Sequence, residues 1–142
     1  SPLVFDFLGS TNRIPVELHD DHLIVGGQQI ARYSGDQTGN ATVYVRPSDL
    51  RVASASDPGL DVTVLDVQRT GPIVRATVEI PPTGQRLSVE VPHLHHDVKQ
   101  FAPQQALRLR LMQFSVFTAE PDLIDKGILT PHLIGRERSR LA

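Results

Sequence analysis

Cysteine is absent from the 142 residues. That absence excludes disulfide frameworks, thiolate zinc sites and thiol catalysis together, and it fits a reducing compartment without demanding one. Tryptophan is also absent, and aromatics amount to two Tyr and five Phe. A single-strand nucleic-acid binder stacks bases on exposed aromatics along a basic face. Here 14 basic and 16 acidic residues give a formal charge of −2, and most Phe fall at alternating apolar positions, so no nucleic-acid partner is expected. Apolar runs are only a few residues long, too short for a helix that spans a bilayer. The phosphate-cradling pattern Gly-x-x-x-x-Gly-Lys-Ser/Thr is missing, and neither Lys99 nor Lys126 follows a glycine-rich loop. A nucleophile elbow, Gly-x-Ser-x-Gly, is missing too. No catalytic residue and no cofactor is therefore assigned. With no initiator Met and no basic apolar leader, Ser1 reads as the start of a fragment or a processed product.

What is present is period-two alternation, the mark of half-buried strands. Leu3, Phe5 and Phe7 alternate, as do Ile14, Val16 and Leu18. Leu23-Ile24-Val25 ends at the turn signal Gly26-Gly27, and Thr42 to Arg46 reads as a strand stopped by Pro47. Ser54 to Gly59 is a loop that divides the chain. Beyond it, the apolar phase slips at Leu65 and Val67, which predicts a bulge. Val74, Ala76, Val78 and Ile80 then alternate cleanly, and Pro81 to Gly84 turns the chain onto Leu87, Val89 and Val91. Leu107, Leu109 and Leu111 form a last clear strand, followed by Phe114, Val116 and Phe117. The parts 1–53 and 60–117 resemble each other in this order of elements. The expectation is an all-β chain of two small OB-like barrels packed together, since a half of this size buries little surface alone. Phe5, Phe7, Val43, Val45, Val62, Val64, Val78, Val89, Leu109 and Leu111 are the predicted core. Residues 118–142 form a short C-terminal extension, with helical turns expected over Pro121 to Leu129 and a basic end at Arg136, Arg138 and Arg140.

Few residues suggest chemistry. Ser10, Thr11, Asn12 and Arg13 follow Gly9, and hydroxyls, an amide and a guanidinium together suit a small oxyanion. The plainer reading is that Ser10 and Thr11 organise the turn and Arg13 pairs with a carboxylate. Arg46, before Pro47-Ser48-Asp49, is the other anion candidate, with a salt bridge to Asp49 or to a partner as the plainer, structural reading. His93-Leu94-His95-His96-Asp97 has metal-ligating residue types. No second ligand pair has a matching spacing, so this reads as an exposed polar loop and no metal is assigned. His19 and His22 flank Asp20-Asp21 as solvated turn residues.

Two segments carry a family resemblance. Phe5-Asp6-Phe7-Leu8-Gly9-Ser10-Thr11-Asn12 resembles the entry segment F-x-F-L-G-x-x-N of the C-terminal domains of ABC-importer ATPase subunits. Val43-Tyr44-Val45-Arg46-Pro47-Ser48-Asp49-Leu50 resembles their V-R-P-E/H-D/E-L segment. Leu60 to Phe117 is similar to a transport-associated OB (TOBE) domain, and the pattern over 1–117 most resembles the sulfate/thiosulfate importers. The resemblance implies a regulatory or dimerisation domain whose ATPase domain, binding ATP and Mg, lies outside these residues. It implies a homodimer beneath membrane permease subunits, peripheral on the cytoplasmic face of the inner membrane. It leaves an alternative, an oxyanion-binding sensor for molybdate or sulfate. Ser48 departs from the family pattern, and residues after Phe117 have no counterpart in it.

Overall fold

The computed structural model describes residues 11–118, 126–128, 130 and 132–138. Phe5, Phe7 and Ser10, and most of the helical turns expected between Pro121 and Leu129, lie outside them. The chain is all-β, with two sheets and two short 3-10 turns among the described residues. The strands are β1 Asn12–His19, β2 His22–Val25, β3 Gln28–Arg32, β4 Gly39–Val45, β5 Leu50–Val52, β6 Leu60–Thr70, β7 Ile73–Ile80, β8 Gln85–Pro92, β9 Ala106–Leu111, β10 Gln113–Phe117 and β11 Leu133–Arg138. The 3-10 turns are Pro47–Asp49 and His96–Gln100.

Turn chemistry builds the first sheet. Gly26 and Gly27 sit at φ 58° and 80°. Two consecutive positive φ values twist a two-residue hairpin the same way as its strands. The turn therefore brings Gln28–Arg32 back onto β2, although Ile30 is the only fully buried apolar residue of β3. The sheet order is β11-β10-β4-β1-β2-β3. The second sheet, β5-β9-β6-β7-β8, rests on the clean alternation of β7 and on the Pro81–Gly84 turn. The slip in phase near Leu65 is a bulge: the β6–β7 register shifts between Val64 and Asp66.

The sheets do not stop at the 54–59 loop. β4 runs through the Pro47–Asp49 turn into β5, crossing from the first sheet to the second. Beside it, β9 crosses back through Met112 into β10. The two crossings are paired, because Leu50 lies opposite Leu111, Tyr44 lies opposite Ser115, and the Met112 N–H donates to the Asp49 carbonyl at 2.7 Å. A two-stranded ribbon thus threads both sheets. The Pro47–Asp49 turn packs against β8, and the edges β5 and β8 of the second sheet also touch. Leu133–Arg138, from the C-terminal extension, are docked on β10 as the outermost strand of the first sheet.

One apolar core joins the two sheets, from Ile14, Leu23 and Val43 on one side to Val64, Val89 and Leu109 on the other. Every predicted core residue within the described range is buried: Val43, Val45, Val62, Val64, Val78, Val89, Leu109 and Leu111.

Candidate functional site

The β1–β4 ladder assembles most of the anion candidates at one end of the first sheet. Asn12 lies opposite Val45 and Arg13 opposite Tyr44, which brings Arg46 alongside Thr11 and Asn12. Side chains opposite one another share a face. Arg13, Tyr44, Ser115 and Arg136 therefore form one row across the sheet. The Arg13 guanidinium stands 5.9 Å from the centre of the Tyr44 ring, and Phe117 meets the same ring edge-on at 4.8 Å. Burial pushes the Tyr44 hydroxyl above its ordinary pKa, opposed by the Arg13 charge.

Asn12 points the other way and has a different task. Its Nδ2 donates to the Ser88 carbonyl at 2.8 Å, and its Oδ1 accepts the Ser88 N–H at 2.9 Å. The side-chain amide thereby stands in for a neighbouring strand at the edge of β8, and fastens β1 to the second sheet. The Gln85 side-chain amide adds a bond to the Arg13 carbonyl at the same seam. Of the residues proposed for an anion, Asn12 is thus engaged in holding the sheets together, whereas Thr11, Arg13 and Arg46 gather at the end of the ladder. Arg136 joins their neighbourhood through β11, from a part of the sequence whose strand pairing no local pattern announced.

A second cluster lies at the opposite flank of the second sheet. Asp97 is 1% exposed. Its Oδ2 accepts the Val52 N–H of β5 at 2.9 Å. The Nε2 of His96 is 3.3 Å from Oδ1, and the Nδ1 of His95 is 3.7 Å from Oδ2. Nδ1 of His95 also accepts the Asp97 N–H at 3.1 Å, capping the His96–Gln100 turn. The two imidazole rings are stacked, with centres 4.3 Å apart. The sequence suggested an exposed polar loop. His96 is indeed exposed, but Asp97 is not, because β5, 45 positions earlier, closes over it.

Two further polar groups have structural duties. Asp61 receives Arg108 at 2.8 Å and Gln28 at 3.1 Å, which links β6, β9 and β3. The Arg108 hydrogen bond holds the Asp61 carboxyl below the ordinary aspartate range. Arg108 also donates to the carbonyls of Ala55 and Asp57 at 2.6 and 3.0 Å, pinning the dividing loop. At the β1–β2 turn, Arg32 bonds Asp21 and lowers its pKa, while His22 lies 3.3 Å from the same carboxylate. Of the turn read from the sequence as solvated, His19 and Asp20 are exposed, whereas Asp21 and His22 are half-buried. None of these arrangements pairs a nucleophile with a base among the described residues.

Comparison with known proteins adds what the geometry leaves open. Residues 54–112 match the TOBE-like domain family. The sulfate/thiosulfate import ATP-binding protein CysA of Xanthomonas campestris is 33% identical over 120 residues, 84% of this chain and 33% of that protein. Its namesake in Xylella fastidiosa is 32% identical over 123 residues, again 84% of this chain and 33% of the relative. In Chromobacterium violaceum, CysA 1 is 31% identical over 124 residues, 85% of this chain and 35% of the relative. The chain spans about a third of the length of these relatives. Residues 54–112 are thus similar to a TOBE-like domain, and most of the chain's own length is similar to the CysA ATP-binding proteins of sulfate/thiosulfate import.

Proposed function

We propose that this chain is the regulatory and dimerisation domain of an ABC-importer ATP-binding subunit that serves sulfate or thiosulfate uptake. The observation that carries the reading is the alignment with CysA proteins across 84% of the chain. The all-β architecture of two sheets on one core supports it, as does the match of residues 54–112 to the TOBE-like family. In this reading the ATPase domain precedes residue 1 in the same polypeptide and binds ATP and Mg. The subunit works as a homodimer under the membrane permease subunits, on the cytoplasmic face. The domain itself hydrolyses nothing. Its contribution is contact between the two copies through exposed loops, which carry partner contacts more often than core-facing strands do. The test is sedimentation of the full-length subunit with ATP, with and without residues 1–142. Loss of ATP-dependent dimerisation on deletion is the expected result; an unchanged dimer overturns the reading.

A second reading, an oxyanion-binding module, is favoured by one observation: the ladder that brings Thr11, Arg13 and Arg46 together also carries Arg136. Arg13 and Arg46 already engage other groups, so an anion would compete for them. Titration calorimetry of the chain with sulfate, thiosulfate and molybdate decides it. Heat that disappears in R136A supports an anion site on this face, and no heat at millimolar anion removes it.

A further inference from the structure

The cluster at His95, His96 and Asp97 takes no part in either reading, yet it is the one place among the described residues where histidines and a carboxylate converge. We propose that His95, His96 and Asp97 form a binding site for a divalent first-row transition ion such as Zn²⁺, which ties the His93–Gln100 loop to β5.

Distances come first. A four-coordinate zinc ion with N and O ligands at 2.0–2.1 Å spaces its donor atoms by about 3.4 Å. His96 Nε2 and Asp97 Oδ1 are 3.3 Å apart, and His95 Nδ1 and Asp97 Oδ2 are 3.7 Å apart. One donor atom from each of the three residues lies within 4.8 Å of the others. The two distances go to different oxygens of the one carboxylate, and the imidazole rings are stacked, so a ring must turn for both nitrogens to face one ion; His96, its side chain 82% exposed, has the room to make that movement.

The donors are also in the right state. His95 Nδ1 accepts the main-chain N–H of Asp97, so it bears a lone pair, as a metal-binding nitrogen must. An ion competes there with a single N–H. The Asp97 side chain is 2% exposed, and the Val52 N–H fixes its orientation. Such outer contacts hold a ligating carboxylate in position. Two imidazole nitrogens and one carboxylate suit a transition ion, whereas Ca²⁺ and Mg²⁺ favour sets made of oxygen alone. Three protein ligands leave the remaining position to water or to a partner's side chain, on the side where His96 meets solvent.

Because Asp97 also receives the β5 N–H, the ion would fasten the loop after β8 more firmly to β5. Leu94, 85% exposed at the tip of that loop, would be presented from an ordered base.

The test uses the whole chain, freed of metal with a chelator, at neutral pH. Zn²⁺ alone is the probe and Mg²⁺ the comparison. Binding is read by the ring resonances of the histidines and by the unfolding midpoint, which rises when a ligand binds only the folded state. We expect one Zn²⁺ per chain and a raised midpoint. The resonance shifts should be centred on His95 and His96, leaving His19, His22 and His132 in place. H96A removes an exposed side chain and keeps the fold, and it should weaken binding by about tenfold or more. H95A should do the same. Failure to bind micromolar Zn²⁺, equal binding of Mg²⁺, shifts centred on His19 and His22, or an H96A variant with undiminished affinity would each overturn the proposal.

Discussion

Asn12 shows how a single polar side chain can join two sheets. Strand β8 ends the second sheet, and its edge groups need partners. The Asn12 amide supplies a donor and an acceptor at once to Ser88. N12A should therefore destabilise the chain by about 1–3 kcal/mol, because it leaves partly buried main-chain groups unsatisfied. Urea unfolding measures this, and a loss indistinguishable from zero would show that water replaces the amide. Asp61 makes a different argument, through proton linkage. Its pKa in the folded chain is depressed below the ordinary 3.8, mainly by the Arg108 hydrogen bond. A depressed folded-state value contributes stability above the unfolded pKa, and that contribution is lost as the pH falls through the folded value. The stability difference between the native chain and D61N should accordingly be full at neutral pH and vanish on acidification below 3.8. Urea midpoints across a pH series give the curve, and a difference that persists in acid would assign the effect to packing instead.

Among the elements, β9 shows how burial on both sides of a ladder concentrates energy. It lies between β5 and β6, and Leu109, fully buried, faces both Val52 and Leu60 across the two ladders. L109A should cost about 2–5 kcal/mol. Ile73, 38% exposed at the start of β7, should cost within about 0.5 kcal/mol when cut to Ala. Guanidinium unfolding of the two variants compares them, and equal losses would contradict the placement of the core. Strands with this much regular alternation are the ones legible in the sequence: β1, β4, β6, β7, β8 and β9 were all visible as apolar residues two apart. β11, in the basic stretch of the C-terminal extension, was announced by no local pattern, and neither were two strands nearer the middle of the chain. β5 has only Leu50, Arg51 and Val52, too short for a period to show, and β3 has one buried aliphatic residue among glutamines and arginine. Each owes its pairing to something non-local or conformational, the β9 edge in one case and the Gly26-Gly27 turn in the other. The same limit hid the burial of Asp97, which β5 covers, and the arrival of Arg136 opposite Ser115 in the row that holds Tyr44, which depends on β11 docking.

At the scale of the whole molecule, the division of the sequence at the 54–59 loop and the division of the structure into sheets do not coincide. The β4–β5 and β9–β10 ribbon gives each sheet a strand from the other side of that loop. The 54–112 segment that matches the TOBE-like family holds β6 to β9 but lacks β5, and with it the fully buried Leu50 and the N–H that Asp97 accepts. A shared core and exchanged strands make the two sheets one cooperative unit, since neither can open without exposing apolar surface of the other. This leads to a test by cutting the chain. A protease site inserted between Ser56 and Asp57 lies where the surface is exposed, or nearly so, and where no strand pairing is broken. Exposed loops of this kind accept insertions. After cleavage the two pieces should still elute together from a sizing column, held by the ladders β5–β9 and β4–β10 and by the Asn12–Ser88 bridge. They should unfold in one transition, at a lower midpoint than the intact chain because the cut releases chain entropy. Separate elution of the pieces, or two transitions at different midpoints, would mean that each sheet is stable alone and that the threaded ribbon is not what unites them.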